Sequence, residues 1–266
     1  MKMGFMDGIK ANQLGGKAYR THVAALQLRQ QGKYRECTEK LNEAYRLYGE
    51  AYEMGFRKSG ALTGYGILSM QMGDFEKARA LMLEAAKDKA MKPDDRFTLR
   101  VNFAICQWKM GHVDKAIETI RMAAQHKMNG LVYTTLGMFL VDQARQTGDF
   151  AEAIEFNRQA MEYDDEDPAT LDNVAQMNLF LSERESDSAE KQSLRDTAKR
   201  YFKKAHELKP DQVTTIYYLA RMEEEDGNVA GALSLVREGL SMPITSVCPV
   251  TRPEMEEYEK KLEKMQ

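Results

Sequence analysis

The sequence predicts an all-α protein built from a repeated helical hairpin. The first observation is a spacing. Five times, a glycine is followed five residues later by a small residue: Gly32 and Cys37, Gly73 and Ala78, Gly111 and Ala116, Gly148 and Ala153, Gly227 and Ala232. The second is another small residue seven positions further on, at Ala44, Ala85, Ala123, Ala160 and Gly239. The third is composition, because 6 prolines and 18 glycines in 266 residues leave little turn punctuation for a β-rich chain.

Each repeat is expected to contain a first helix, a turn at the glycine and a second helix. An apolar residue followed by a small one precedes each turn, as in Tyr65-Gly66 before Gly73. Small residues let the two helices approach closely, and glycine supplies the backbone angles of the turn. One hairpin cannot bury its own apolar face, so neighbouring hairpins must stack. A sixth copy, at Ala198, Phe202 and Ala205, has no turn glycine.

Three segments outside the common spacing have their own predictions. In the first repeat, the apolar stripe predicts a second helix from Tyr34 to Phe56. In the fifth repeat, residues 182–193 are polar and predict a solvated insertion between two helices, with a regulatory or partner-contacting loop as the alternative. In the tail, Thr251 and Glu254 have the spacing of a capping box, which predicts that a helix begins there.

The repeat resembles the tetratricopeptide repeat family. The residues that carry the resemblance most clearly are Tyr133, Leu136, Gly137, Leu140, Ala153, Ala160 and Pro168. It extends over roughly residues 18–245, with Asn157 at a position where the family usually has Phe. The resemblance implies a right-handed α-solenoid of about six helical hairpins closed by a C-terminal capping helix. The implied organisation is a lead segment at 1–17, the repeat array at 18–246, and a linker with the capping helix at 247–266.

Composition and motifs argue against several classes of function. A formal net charge of -3 lacks the basic surface typical of nucleic-acid binding, and no segment has the length and apolarity of a membrane span. Three cysteines without metal-ligand spacing are typical of a reducing compartment, so we expect a cytoplasmic protein. The common phosphate-binding, dinucleotide-binding, metalloprotease and serine-hydrolase motifs are missing from the sequence. We therefore expect neither an enzyme nor a cofactor or metal.

The family resemblance implies where a partner would bind. In this family the first helix of each hairpin faces the concave side of the superhelix, which usually receives a peptide. The corresponding positions predict a groove that binds a peptide or amphipathic helix of another protein. Its candidate residues are Leu26, Ile67, Met70, Val101, Ile105, Trp108, Met138, Tyr217 and Arg221. The partner itself is not identified by the sequence.

The sequence leaves two other interpretations open. The segment from Met1 to Gly16, with Met3, Phe5, Met6 and Ile9, has the apolar residues to fill the groove from within the same chain. The protein would then be structural and would self-associate as a homo-oligomer through an end face or the C-terminal helix. A regulator that senses a short signalling peptide is a variant of the adaptor interpretation.

Overall fold

The computed structural model describes the backbone of residues 5–266 and the side chains from Asp7 onward. Within this part of the chain, thirteen helices follow one another. They are α1 (Phe5–Gln30), α2 (Tyr34–Glu53), α3 (Ser59–Gln71), α4 (Phe75–Ala85), α5 (Pro93–Lys109), α6 (Val113–His126), α7 (Gly130–Thr147), α8 (Ala151–Tyr163), α9 (Pro168–Ser182), α10 (Ser188–Leu208), α11 (Val213–Glu225), α12 (Val229–Leu240) and α13 (Arg252–Glu263).

The helices form two compact units. The first comprises the described residues up to Met110 together with Ser241–Ser246, and so contains α1 to α5. The second comprises Gly111–Leu240 and Val247–Gln266, and so contains α6 to α13. Consecutive helices pack in pairs within each unit: α1 on α2, α3 on α4, α7 on α8, α9 on α10 and α11 on α12. The molecule is therefore an all-α helical repeat protein, as predicted.

The predicted turn glycines all have left-handed backbone angles. Their φ values lie between 71° at Gly32 and 87° at Gly148. An L-residue with a Cβ rarely adopts this conformation, which explains why glycine recurs between the two helices of a pair. Gly55, with φ of 82°, ends α2 in the same way, and α2 therefore stops slightly before the predicted Phe56.

The predicted small residues are buried. Cys37, Ala78, Ala116, Ala153 and Ala232 are all at most 1% exposed. At Gly66 of α3, an added Cβ would lie 3.1 Å from the Met82 side chain and 3.3 Å from the backbone oxygen of Ala78 in α4. The close approach leaves little room for a larger residue, so the small-residue pattern reflects helix packing.

The N-terminal lead is part of the first helix. Ala11, Gly15 and Ala18 are buried at i, i+4 and i+7, and α1 packs against α2. An added Cβ at Gly15 would lie 2.1 Å from the Phe56 ring, so glycine permits this contact. Ile9 is 42% exposed, whereas Met3 and the side chains of Phe5 and Met6, also named for self-filling, lie outside the described residues.

The polar insertion of the fifth repeat is shorter than predicted. The loop comprises only residues 183–187, and residues 188–193 form the first turns of α10. Asp187 begins that helix by accepting hydrogen bonds from the backbone N–H groups of Ala189 (3.0 Å) and Glu190 (2.9 Å). Such a cap satisfies amides at a helix start and lets a polar segment form a helix.

The C-terminal helix begins where the capping box predicts. The backbone N–H of Thr251 donates to Glu254 Oε2 (2.6 Å), as does the Thr251 hydroxyl (2.7 Å). Met255 and Leu262 are both buried, and α13 packs against α12. An added Cβ at Gly239 would lie 2.9 Å from Met255 Cε, so this glycine leaves space for the methionine.

Candidate peptide-binding surface

The predicted groove residues of the first unit fall into two groups. Leu26 on α1 is 48% exposed, and Ile67 on α3 and Trp108 on α5 are half-buried. The other three residues, Met70, Val101 and Ile105, are only 2%, 1% and 6% exposed. Their side chains belong to the core and present almost no surface to a partner. All six residues are apolar and lie on the same predicted face of their helices. The sequence therefore could not separate the buried residues from the exposed ones.

In the second unit the three predicted residues are half-buried. Met138 lies on α7, and Tyr217 and Arg221 lie one turn apart on α11. The structure brings Tyr217 and Arg221 together in one open pocket of about 430 Å³. The remaining lining residues come from α11, α13 and the segment before α13: Glu224, Val250, Glu254, Glu257, Tyr258 and Lys261. This α11/α13 pocket is the candidate site.

Two tyrosines form the aromatic part of the α11/α13 pocket. The ring centroids of Tyr217 and Tyr258 are 6.1 Å apart, with ring planes at 70°. The hydroxyl of Tyr258 donates to Glu224 Oε2 (2.8 Å), which fixes the position of this ring relative to α11. Burial, together with this hydrogen bond to a carboxylate, raises the pKa of Tyr258, so its hydroxyl stays protonated and remains a donor.

Glu224 connects α11 to α13. Besides the Tyr258 hydroxyl, its carboxylate accepts a hydrogen bond from Lys261 Nζ. Burial would raise the pKa of Glu224, but the hydrogen bonds from Lys261 and Tyr258 outweigh it and hold the pKa below its ordinary value. Glu224 is therefore a carboxylate at neutral pH, and its charge is compensated within the pocket.

The second cation of the pocket is compensated as well. Arg221 Nη2 lies 3.4 Å from Glu225 Oε1 and 3.8 Å from Glu183 Oε1. Glu254 accepts from the N–H and hydroxyl of Thr251 at the start of α13. Glu257 is exposed and has no ion-pair partner among the described residues. Carboxylates are therefore in excess in this pocket.

The inward positions of the fifth repeat are buried. Asp172 and Gln176 on α9 are 3% and 8% exposed although both side chains are polar. Asp172 accepts hydrogen bonds from Thr215 Oγ1 and Gln176 Nε2, both at 2.6 Å. Burial raises the pKa of Asp172 to about 6 despite these bonds. The cluster holds α9 against α11 and does not form a surface for a partner.

The glycine-rich segment of α3, Gly64-Tyr65-Gly66, has a packing role. An added Cβ at Gly64 would lie 2.8 Å from the Tyr48 hydroxyl oxygen, and Tyr48 stacks on Tyr65 with ring centroids 6.1 Å apart. Lys77 Nζ lies 4.6 Å from the centre of the Tyr65 ring. These contacts place the segment inside a tyrosine-rich packing cluster between α2, α3 and α4.

The metal-ligating side chains, the helix lengths and the cysteine thiols bear on other kinds of site. Across residues 5–266, no group of three or more His, Cys, Asp or Glu side chains is arranged to hold a metal ion. None of the helices described above combines the length and apolarity required to cross a bilayer. Cys37, Cys106 and Cys248 are all buried, and burial raises the pKa of the Cys106 thiol to about 11.

Comparisons with known proteins define the class of the fold. No protein-family model matches the chain, and no curated protein matches it. Among solved structures, TTC0263, a thermophilic tetratricopeptide repeat protein of Thermus thermophilus, has a TM-score of 0.54 and 17% identity; the match covers 77% of this chain and 98% of that one. The protein is thus of the tetratricopeptide repeat type in its fold.

Two larger proteins share this fold. Human IFIT1, solved as a dimer with PPP-AAAA, has a TM-score of 0.58 and 18% identity; the match covers 82% of this chain and 49% of IFIT1. Cut9, from the APC/C hetero-tetramer Cut9–Hcn1, has a TM-score of 0.52 and 14% identity over 97% of this chain and 46% of that one. This chain therefore spans about half the length of these two relatives, and identities this low concern the fold alone.

Proposed function

We propose that this protein is an interaction module that binds a peptide or an amphipathic helix of a partner protein and catalyses no reaction. The observation that carries the proposal is the α11/α13 pocket. Tyr217 and Arg221, which the family resemblance predicts to face a partner, line this open cavity of about 430 Å³. A concave site with aromatic walls and a few polar groups is typical of peptide and ligand recognition.

In the first unit, we propose that Leu26, Ile67 and Trp108 contribute contacts to a partner, since they retain exposed area. In the second unit, we propose that Met138, Tyr217 and Arg221 contribute such contacts. A protein partner is also supported by Cut9, which has this fold and assembles with Hcn1. The buried cysteine thiols are in keeping with action in the reducing cytoplasm.

A polyanion is a less suitable ligand for the proposed site. IFIT1 shares the fold and was solved with PPP-AAAA. In this chain, however, the formal net charge is -3 and the α11/α13 pocket has three lining carboxylates against two cations. Nucleic-acid affinity depends on basic groups that neutralise phosphates, so this pocket favours a peptide.

Selection of displayed random peptides against the full-length chain tests the proposal. Selected peptides should bind a Tyr217→Ala variant about five- to thirtyfold more weakly, the usual cost of about 1–2 kcal/mol for removing a central aromatic contact. Tyr201→Ala is the matched control, because Tyr201 is a half-buried tyrosine of the same unit on α10 and lies outside the pocket. The selected peptides should bind Tyr201→Ala with the same affinity as the wild-type protein.

Trp108, the only tryptophan in the chain, is the reporter for the first unit. Peptides that contact the first-unit residues should change its fluorescence emission, and a Trp108→Phe variant should lose this signal. Light scattering of the same samples distinguishes the remaining interpretation. A chain that selects no peptide and forms a defined homo-oligomer would contradict the adaptor proposal and favour the self-associating one.

A further inference from the structure

We infer that the α11/α13 pocket recognises a basic side chain, Arg or Lys, of the partner peptide. This inference rests on the proposed function and specifies the chemistry of its ligand. It depends on three features of the pocket: the charges that are already paired, the carboxylate that is not, and the two tyrosine rings.

The pocket's own cations are already paired. Lys261 donates to Glu224, which also accepts from the Tyr258 hydroxyl. Arg221 lies between Glu225 and Glu183. An incoming carboxylate or phosphate would therefore have to displace an existing ion pair. It would also approach the exposed carboxylate of Glu257, where repulsion opposes binding.

An incoming cation finds a complementary group. Glu257 is exposed on α13, lines the pocket and has no ion-pair partner among the residues that the structure describes. A guanidinium can donate two parallel hydrogen bonds to such a carboxylate, which favours Arg over Lys. Because the pocket is open to solvent, this pair alone contributes modestly to affinity.

The tyrosine rings supply a second attraction for the same group. Tyr217 and Tyr258 lie with their ring planes at 70°, so their faces point in different directions. Lys261 Nζ lies 5.6 Å from the centre of the Tyr258 ring, so this ring already attracts a cation of the chain itself. Cation–π attraction and the ion pair with Glu257 together predict that the guest charge strengthens binding by about three- to tenfold.

The experiment compares peptides that differ only in the charge of one side chain. Peptides selected on the full-length protein are resynthesised with citrulline, an uncharged isostere, in place of each arginine. Replacing the critical arginine should weaken binding to the wild-type protein by about three- to tenfold. The same replacement should weaken binding to the Glu257→Gln variant clearly less, because that variant has lost the carboxylate.

Glu256→Gln is the matched control for Glu257→Gln. Glu256 is the neighbouring exposed glutamate on α13 and does not line the pocket. For Glu256→Gln, the affinity difference between the arginine and citrulline peptides should equal the difference measured with the wild-type protein. Selected peptides that carry no basic residue, or an equal citrulline effect in wild-type and Glu257→Gln proteins, would overturn the inference while leaving the proposed peptide binding intact.

A single-residue probe separates the inference from the wider function. N-acetyl-arginine methylamide, titrated into the isotope-labelled full-length protein, should shift backbone amide resonances of α11 and α13, and the citrulline analogue should not. If no displayed peptide binds but this probe does, the peptide-binding proposal fails and the pocket's preference for a basic group is retained. If the arginine and citrulline probes behave alike, the preference for a basic side chain is refuted.

Discussion

Replacing Asp172 with asparagine should remove a pH dependence from the stability of the protein. Asp172 is 3% exposed and accepts hydrogen bonds from Thr215 and Gln176. In the variant, the asparagine Oδ1 still accepts from the Thr215 hydroxyl. Rotation of the Gln176 amide lets its oxygen accept a hydrogen bond from the new Nδ2 group. The substitution therefore changes charge with little change in shape.

The magnitude follows from the two pKa values of Asp172. Its ordinary value is 3.8, and burial raises it to about 6 in the folded protein. Between these values the folded state keeps the proton that the unfolded chain has released, so unfolding is favoured as pH rises. A difference of about two units corresponds to about 3 kcal/mol of unfolding free energy, fully present below pH 4 and lost by the time pH exceeds 6.

Urea unfolding of the two proteins across about pH 4 to pH 8 measures this effect. Other carboxylates titrate equally in both, so the difference in unfolding free energy between the variant and the wild-type protein isolates Asp172. We expect Asp172→Asn to approach wild-type stability near pH 4 and to exceed it by up to about 3 kcal/mol at neutral pH. Asp165→Asn, at an exposed position, should track the wild-type protein. A constant difference between Asp172→Asn and wild type across this range would refute the reasoning.

Three further substitutions test the packing of the repeats by urea unfolding. Gly73→Ala should lower the free energy of unfolding by about 1–2 kcal/mol, because φ at Gly73 is 81°. Its control is Gly60→Ala within α3, where no atom lies within 4 Å of the added Cβ, and this variant should not be destabilised. Gly137→Ala should lower the free energy of unfolding by about 1–3 kcal/mol, since its Cβ would lie 2.5 Å from Oδ1 of Asn157, which is buried on α8. Met255→Ala should cost about 2–5 kcal/mol, while Met265→Ala, at a position 49% exposed, should have little effect. This packing would be contradicted if Gly73→Ala and Gly60→Ala were equally stable, or if Met255→Ala and Met265→Ala were. It would also be contradicted if Gly137→Ala were as stable as the wild-type protein.

The repeats could be predicted from sequence because their signals are local. A left-handed turn requires glycine, and two closely packed helices require small residues at fixed positions. Both demands recur at Gly73 and Ala78 and at their equivalents. The starts of α1 and α10 depend on other signals. The lead segment forms part of α1, in which Gly15 packs against Phe56, and α10 begins at the cap formed by Asp187.

The candidate site could be predicted only in part. Tyr217 and Arg221 follow from the position of α11 within its repeat, but the opposite wall of the pocket is supplied by α13. That contact joins separate helices. The family resemblance implies a C-terminal capping helix but does not specify which of its side chains contact α11. Burial is likewise a tertiary property. Met70 and Trp108 occupy corresponding positions in the repeat, yet only Trp108 retains substantial exposed area.

The role of α13 decides which experiments are informative. Met255 and Leu262 are buried, so this helix stabilises the end of the second unit, while Tyr258 and Lys261 bind Glu224 and form a wall of the pocket. Deleting α13 would remove the packing and the pocket together, and a loss of binding would then have two causes. Because Glu257 is exposed and forms no ion pair among the described residues, Glu257→Gln changes the charge of the pocket and leaves the packing of α13 intact. Point variants on this helix therefore separate recognition from stability, which truncation cannot do.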